Sequence, residues 1–190
     1  MILIKHIGLF FGTFDPLHNG HISIAEYFIA KLKLNELRLV VTPHNPFKSD
    51  KKISHEDKRL KMVNDFCLDH KQINCSKVEF DLPKPNYTAD TLDCIVKNNP
   101  NSKLFVILGE DNLNTLHMWK DFKKILKHQI CVYPRKNSTK GDKKILKHQN
   151  IKLYQAPLME ISSTLIRVRI SRGESIKDLV PKKILHYLQG

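Results

Sequence analysis

Two histidines separated by two residues, in His18-Asn19-Gly20-His21, sit where an apolar run ends and an amphipathic pattern begins. Ile7-Gly8-Leu9-Phe10-Phe11 reads as the end of a buried strand. Ile22, Ala25, Phe28, Ile29 and Leu32 fall on one face at helical spacing. Gly12-Thr13-Phe14-Asp15-Pro16-Leu17 joins them, so the order is strand, tight loop, helix start. A helix start offers unpaired N–H groups and the positive end of a dipole, and it draws anions. Two imidazoles add donors suited to phosphate, and Gly20 lets a phosphate approach the backbone. A lone histidine there would read as a cap; two straddling Asn-Gly read as a ligand site.

A second candidate lies far downstream, at Ile161-Ser162-Ser163-Thr164-Leu165-Ile166-Arg167. Three hydroxyl residues open a predicted helix, and none is followed three residues later by Glu or Gln. A capping box is therefore not expected to occupy the first donors. Arg167 adds charge-assisted hydrogen bonds to any anion held there. The chain has no G-x-x-x-x-G-K-[ST] phosphate cradle, so two helix starts must do that work if a nucleoside triphosphate binds.

The elements that must position these groups alternate along the chain. Strands are expected at Ile2–Phe10, Leu37–Thr42, Asn74–Phe80, Lys103–Leu108, Gln129–Tyr133 and Ile151–Tyr154. Helices are expected at His18–Lys33, Ser54–Leu68, Thr88–Asn98, Trp119–Lys127, Ser163–Ser171 and Pro181–Leu188. Such alternation implies an α/β class: a mostly parallel sheet with helices on both faces and ligands outside the carboxyl ends of the strands. The 190 residues fit one domain, with the C-terminal helical part from about 162 to 190 packed on it.

Composition excludes some classes. The apolar runs are too short to cross a bilayer, and the N-terminus lacks the pattern of a signal peptide. Cys67, Cys75, Cys94 and Cys131 show no metal or redox spacing, so reduced structural cysteines in a cytoplasmic protein are expected. The net charge is +13. Lys120 to Lys152 holds eleven Lys or Arg and two Asp, a local net of +9. That field suits polyphosphates or a solvated lysine surface. It also motivates a basic nucleic-acid-binding module, but no aromatics interleave with the charges and no nucleic-acid motif is present, which weighs against that partner. The repeated Lys-Lys-Ile-Leu-Lys-His-Gln, at Lys123–Gln129 and Lys143–Gln149, is too short to make a repeat architecture.

Gly12 to His21 resembles the HxGH motif of the nucleotidyltransferase superfamily, and Ile161 to Arg167 resembles its ISSTxIR motif. Nearly the whole chain is similar to bacterial-type nicotinate mononucleotide adenylyltransferases, which have a Rossmann-like fold. Four further matches carry this. They are Pro43-His44-Asn45-Pro46-Phe47-Lys48, Tyr87-Thr88-Ala89-Asp90-Thr91-Leu92, Gly109-Glu110-Asp111-Asn112-Leu113 and Trp119. The resemblance implies ATP and nicotinate mononucleotide as substrates, with His18 and His21 as catalytic groups. It places ATP on Gly12, Thr13, Phe14, Gly20, Asp111, Arg135, Ser162, Ser163, Thr164 and Arg167. It places the mononucleotide on Lys48, Tyr87, Thr88 and Trp119, with Thr88 capping its helix and the Trp119 indole stacked on the pyridine ring. Mg²⁺ would ride mainly on substrate phosphates, with no protein metal cage. The histidines would act best as protonated donors, their charge favoured by phosphate. Phe11, Glu110 and Pro134-Arg135-Lys136 depart from the family pattern. Adenylyl transfer to nicotinamide mononucleotide or phosphopantetheine stays open as an alternative, and so does a homo-oligomer.

Overall fold

The computed structural model describes residues 4–45, 54–135 and 145–189. Six strands form one parallel sheet: β1 (Lys5–Gly12), β2 (Glu36–Val41), β3 (Ile73–Ser76), β4 (Ser102–Gly109), β5 (Gln129–Tyr133) and β6 (Ile151–Leu153). Their order is β3-β2-β1-β4-β5-β6, so the direction of winding reverses between β1 and β4. That reversal leaves a crevice at the carboxyl ends of these two strands, where Gly12 and Gly109 end them.

Alternation along β1 explains the two layers. Ile7 and Leu9 point to one face and Phe10 to the other, and all three are buried. On the Phe10 side pack α1 (Asn19–Leu32) and α2 (Glu56–Cys67), through Ile24, Ala25, Phe28, Met62, Val63 and Phe66. On the Ile7 side pack α3 (Thr88–Asn98) and the short α4 (Phe122–Ile125), through Ala89, Leu92, Ile95 and Ile125. The chain then returns to the first layer with α5 (Ser163–Ser171), where Ile166, Ile176, Val180 and Ile184 join the same core. Tyr187 donates its hydroxyl to Asp65, and Lys183 meets Asp69 at 2.7 Å, tying the C-terminal segment to α2.

Three expected elements differ. The strand expected at Asn74–Phe80 pairs only over Ile73–Ser76, then tightens into a 3-10 turn at Val78–Phe80 that turns Glu79 inward. The helix expected over Trp119–Lys127 is reduced to α4, because Asp121 takes a left-handed φ of 50° and Trp119 is extended. The C-terminal helix expected over Pro181–Leu188 is a 3-10 run, Lys182–Tyr187, whose tighter winding still buries Ile184 fully.

Candidate active site

At the carboxyl ends of β1 and β4 opens a cleft of about 730 Å³. Gly12, Thr13, Phe14, His18, His21, Tyr87, Thr88, Asp111, Trp119, Arg135, Ser162, Ser163, Thr164 and Arg167 all line it. Gly20 lines a narrow side pocket that shares Phe10, His18, His21, Tyr133 and Arg135 with the cleft. Lys48 lies outside the described residues.

The two histidines are bonded to each other's backbone. His18 caps α1 by accepting the N–H of His21 at Nδ1, 3.3 Å away, and His21 Nδ1 accepts the N–H of His18 at 3.3 Å. The rings stack with centroids 3.6 Å apart. A neutral ring whose Nδ1 accepts carries its proton on Nε2, so each imidazole is set as an Nε2–H donor. This is a capping box built from histidine, and its signal was the three-residue spacing itself. Phe10 and Phe14 set their edges against His21.

His18 is only 4 % exposed, and burial, reinforced by the charge of Arg135, lowers its pKa to about 3. At neutral pH this holds His18 in its neutral form, in which it can still donate through Nε2–H. The glycines also stand against side chains of the site. A Cβ on Gly20 would come within 3.0 Å of His18 Nδ1, and one on Gly12 within 2.8 Å of the Phe14 ring. At Gly109 it would meet Asp111 Oδ1 at 2.4 Å and Arg135 Nε at 3.0 Å. Each glycine makes room for a neighbouring side chain of the site. Phe14 itself, 1 % exposed with φ 48°, is a floor beneath Gly12 and His21.

Across the cleft, the start of α5 is partly used, contrary to the expected open start. Ser162 Oγ accepts the N–H of Leu165 at 3.1 Å, a plain N-cap that needs no Glu or Gln. Ser163 Oγ donates to the carbonyl of Pro16 at 3.0 Å, and Arg167 donates to the carbonyl of Asp15. These bonds hold α5 against the loop that leads to His18. Arg135 donates to Tyr133 Oη at 2.8 Å and lies 3.7 Å from Asp111, despite its altered sequence context.

The far end of the cleft is built on α3. Its N-cap is Tyr87, without a side-chain cap bond, and Thr88 is the first helical residue; the expected cap by Thr88 is absent. Trp119 Nε1 donates to Thr115 Oγ1 at 3.3 Å, which orients the indole. Two residues that sequence reasoning missed stand nearby. Glu79, 2 % exposed, accepts from Thr91 at 2.8 Å, while its Oε2 has no partner; burial pushes its carboxyl up. Asn86 bridges Glu79 and His44 through its side chain. A third, Arg59, had a legible signal. It precedes Met62, Val63 and Phe66 on the apolar stripe of α2, where a charge is out of place.

Part of the basic segment is neutralised: Lys120 pairs with Asp90 and Lys124 with Asp93, each at 2.8 Å. Burial raises the thiols of Cys67 and Cys131 to about 12 and that of Cys75 to about 11, as inert structural cysteines require. Among the described residues no helix is long and apolar enough to cross a membrane, and no group of three or more His, Cys, Asp or Glu could hold a metal ion.

Comparison with known proteins agrees with this arrangement. The model of the cytidylyltransferase-like family matches residues 9–169. A Flavobacterium psychrophilum protein named probable nicotinate-nucleotide adenylyltransferase is 43 % identical over 183 residues, covering 96 % of this chain and 95 % of its own. A Clostridium tetani protein of the same name is 31 % identical, covering 98 % and 97 %. A Plasmodium falciparum nicotinic acid mononucleotide adenylyltransferase, solved with NaAD, superposes with a TM-score of 0.78 at 19 % identity, over 97 % and 94 % of the two chains.

Proposed function

The chain belongs to the cytidylyltransferase-like family, and we propose that its cleft transfers the adenylyl group of ATP to nicotinate mononucleotide. The products are nicotinate adenine dinucleotide and pyrophosphate. One observation carries the assignment of roles: the β1 loop that ends in the reciprocal His18–His21 pair accepts hydrogen bonds from Arg167 and Ser163 of α5 at the carbonyls of Asp15 and Pro16.

A phosphate oxygen of the mononucleotide attacks the α-phosphorus of ATP, and the bond to the leaving pyrophosphate breaks. The nucleophile is ionised at neutral pH, so no general base is needed. The barrier is orientation and repulsion between anions. The Nε2–H groups of His18 and His21 donate to the α-phosphate and the bridging oxygen, where charge grows as pyrophosphate leaves. Thr13, Ser163, Thr164 and Arg167 hold the outer phosphates, with Ser162 as the cap that keeps α5 in place. Gly12, Phe14 and Gly20 shape the floor beneath them. Asp111 and Arg135, already paired, take the nucleoside side of ATP.

The acceptor occupies the α3 end. The indole of Trp119 stacks on the pyridine ring, and Tyr87 and Thr88 present the uncapped helix start to the nicotinate carboxylate. A carboxylate gains more from that dipole than an amide does, which favours nicotinate over nicotinamide. Lys48 is assigned to the mononucleotide on the sequence resemblance alone. A divalent ion such as Mg²⁺ would arrive on the ATP phosphates as part of the substrate and neutralise part of their charge. Four free cysteines suit the reducing cytoplasm.

Pyrophosphate release from ATP is the test, with nicotinate mononucleotide, nicotinamide mononucleotide and phosphopantetheine compared as acceptors. Turnover should be highest with the nicotinate compound. Faster turnover with either of the others overturns the acceptor assignment.

A further inference from the structure

We propose that Arg59, together with Asp15, is a positioning residue that sets the spacing between the two substrate-binding ends of the cleft. The proposal rests on the adenylyl-transfer reading above. Arg59 lies on α2 and is 2 % exposed. Burying a guanidinium is costly unless its donors are met. Here they are met by main-chain carbonyls alone. Nε donates to Ser54 at 3.0 Å, one terminal nitrogen to Thr13 at 2.6 Å and to Thr42 at 2.9 Å, and the other to Pro43 at 3.0 Å. An apolar side chain would serve the stripe of Met62, Val63 and Phe66 without that cost.

The identity of the acceptors gives the arginine its meaning. Thr13 belongs to the loop after β1, which leads to His18. Thr42 and Pro43 directly follow β2, and Ser54 stands just before α2. One rigid planar fork therefore fixes two loops relative to each other. The second loop passes the constraint on: His44 and Asn86 exchange hydrogen bonds at 3.2 and 3.1 Å, and Asn86 directly precedes the start of α3. Asp15 extends the tie to the phosphate side. It is 5 % exposed, its charge favours the Arg59 cation, and its Oδ2 accepts the N–H of Ser54 at 3.3 Å. The same oxygen lies 3.7 Å from Arg167 on α5. Thus Arg59 and Asp15 connect α5, the β1 loop, the β2 loop and the approach to α3, and of the two only Asp15 lines the cleft. Transfer between two bound substrates depends on the relative placement of two phosphorus centres, which is what such a tie controls.

The experiment is steady-state kinetics on Arg59→Lys and Asp15→Asn, with binding of each substrate alone measured by calorimetry. A lysine keeps the charge but cannot hold both loops in one plane. Folding is checked by circular dichroism and a cooperative melt. The expected result is a kcat at least tenfold lower in both variants, with the KM and the single-substrate affinities changed less than about threefold. A structural role alone would lower the melting temperature and leave kcat per folded molecule unchanged. A folded variant with kcat within twofold of wild type overturns the proposal, as does a loss confined to KM. If Arg59→Lys does not fold, Asp15→Asn decides by the same criterion. Wild-type protein that releases no pyrophosphate overturns the adenylyl-transfer reading and the proposal with it. Active wild type with unaltered variants overturns the proposal alone.

Discussion

The helix starts at the two ends of the cleft are finished differently. On the side proposed for the phosphates α1 is capped by His18 and α5 by Ser162, so a backbone donor of each is consumed by the protein's own side chain. On the side proposed for the acceptor, the N-cap residue of α3 makes no side-chain cap bond. The difference separates two ways of holding an anion. At the phosphate end, backbone donors are traded for side-chain donors, two imidazole Nε2–H groups and a guanidinium, which can strengthen as charge moves in the transition state. At the α3 end, fixed backbone donors suit a carboxylate whose charge does not change during the reaction.

Four predictions would break or sharpen that contrast. His18→Ala and His21→Ala should each cut turnover by roughly 100-fold or more, the scale of losing one oriented donor, read as kcat for pyrophosphate release. Each substitution also removes half of the reciprocal cap, so the pair should be far from additive in the double variant. Trp119→Ala should raise the KM for nicotinate mononucleotide up to about tenfold, as loss of one aromatic stack implies, with the KM for ATP little changed. A collapse of ATP affinity instead would exchange the two ends.

The third prediction installs the missing cap. Tyr87→Ser would let a hydroxyl take a donor at the α3 start, against Tyr87→Ala as the control for loss of the ring. The serine variant should show the higher KM for nicotinate mononucleotide, by about fivefold, since a cap is worth about 1 kcal/mol. Equal KM values would mean that the α3 donors do not meet the substrate.

The smallest effect is in the pH profile. Below pH 6.5 the unfolded chain protonates His18 while the folded protein, with its value near 3, does not. The unfolded state then binds more protons, so the stability present at neutral pH is lost as pH falls from 6.5 toward 3. Denaturant midpoints should decline over that window, and less so in His18→Gln. In kcat/KM, which reports the free enzyme, no His18 titration should appear between pH 6 and 8. A histidine step there that vanishes in the His18→Gln variant would restore the protonated-donor picture.

Much of this was legible in residue order. The alternation of apolar runs and helical patterns implied a parallel sheet with helices on both faces, and the spacing of the motifs marked which loops would meet. Thr88–Asn98 and Ser163–Ser171 stand at the expected bounds because apolar periodicity and polar starts agreed there. Around Trp119 they did not: the pattern was helical, but the chain takes a left-handed turn at Asp121, and Trp119 before it is extended and lines the cleft. Glu79 left no trace in the sequence, because its place in a 3-10 turn is defined by partners distant in sequence: Thr91 on α3 donates to its carboxyl, and Asn86 donates to its main-chain carbonyl.

By itself, the order of residues determined the class of chemistry. Imidazoles, hydroxyls and an arginine at predicted helix starts specify an anion site wherever they are placed, since donors and dipoles are local properties. Only the tertiary structure decided how those groups are used. Which donors the protein spends on itself, which ring nitrogen keeps its proton, and why three glycines stand beside bulky neighbours depend on contacts between segments distant in sequence. So does the reach of Arg59 to the loops on both sides of the cleft, because burial and hydrogen-bond geometry are set by packing and not by composition.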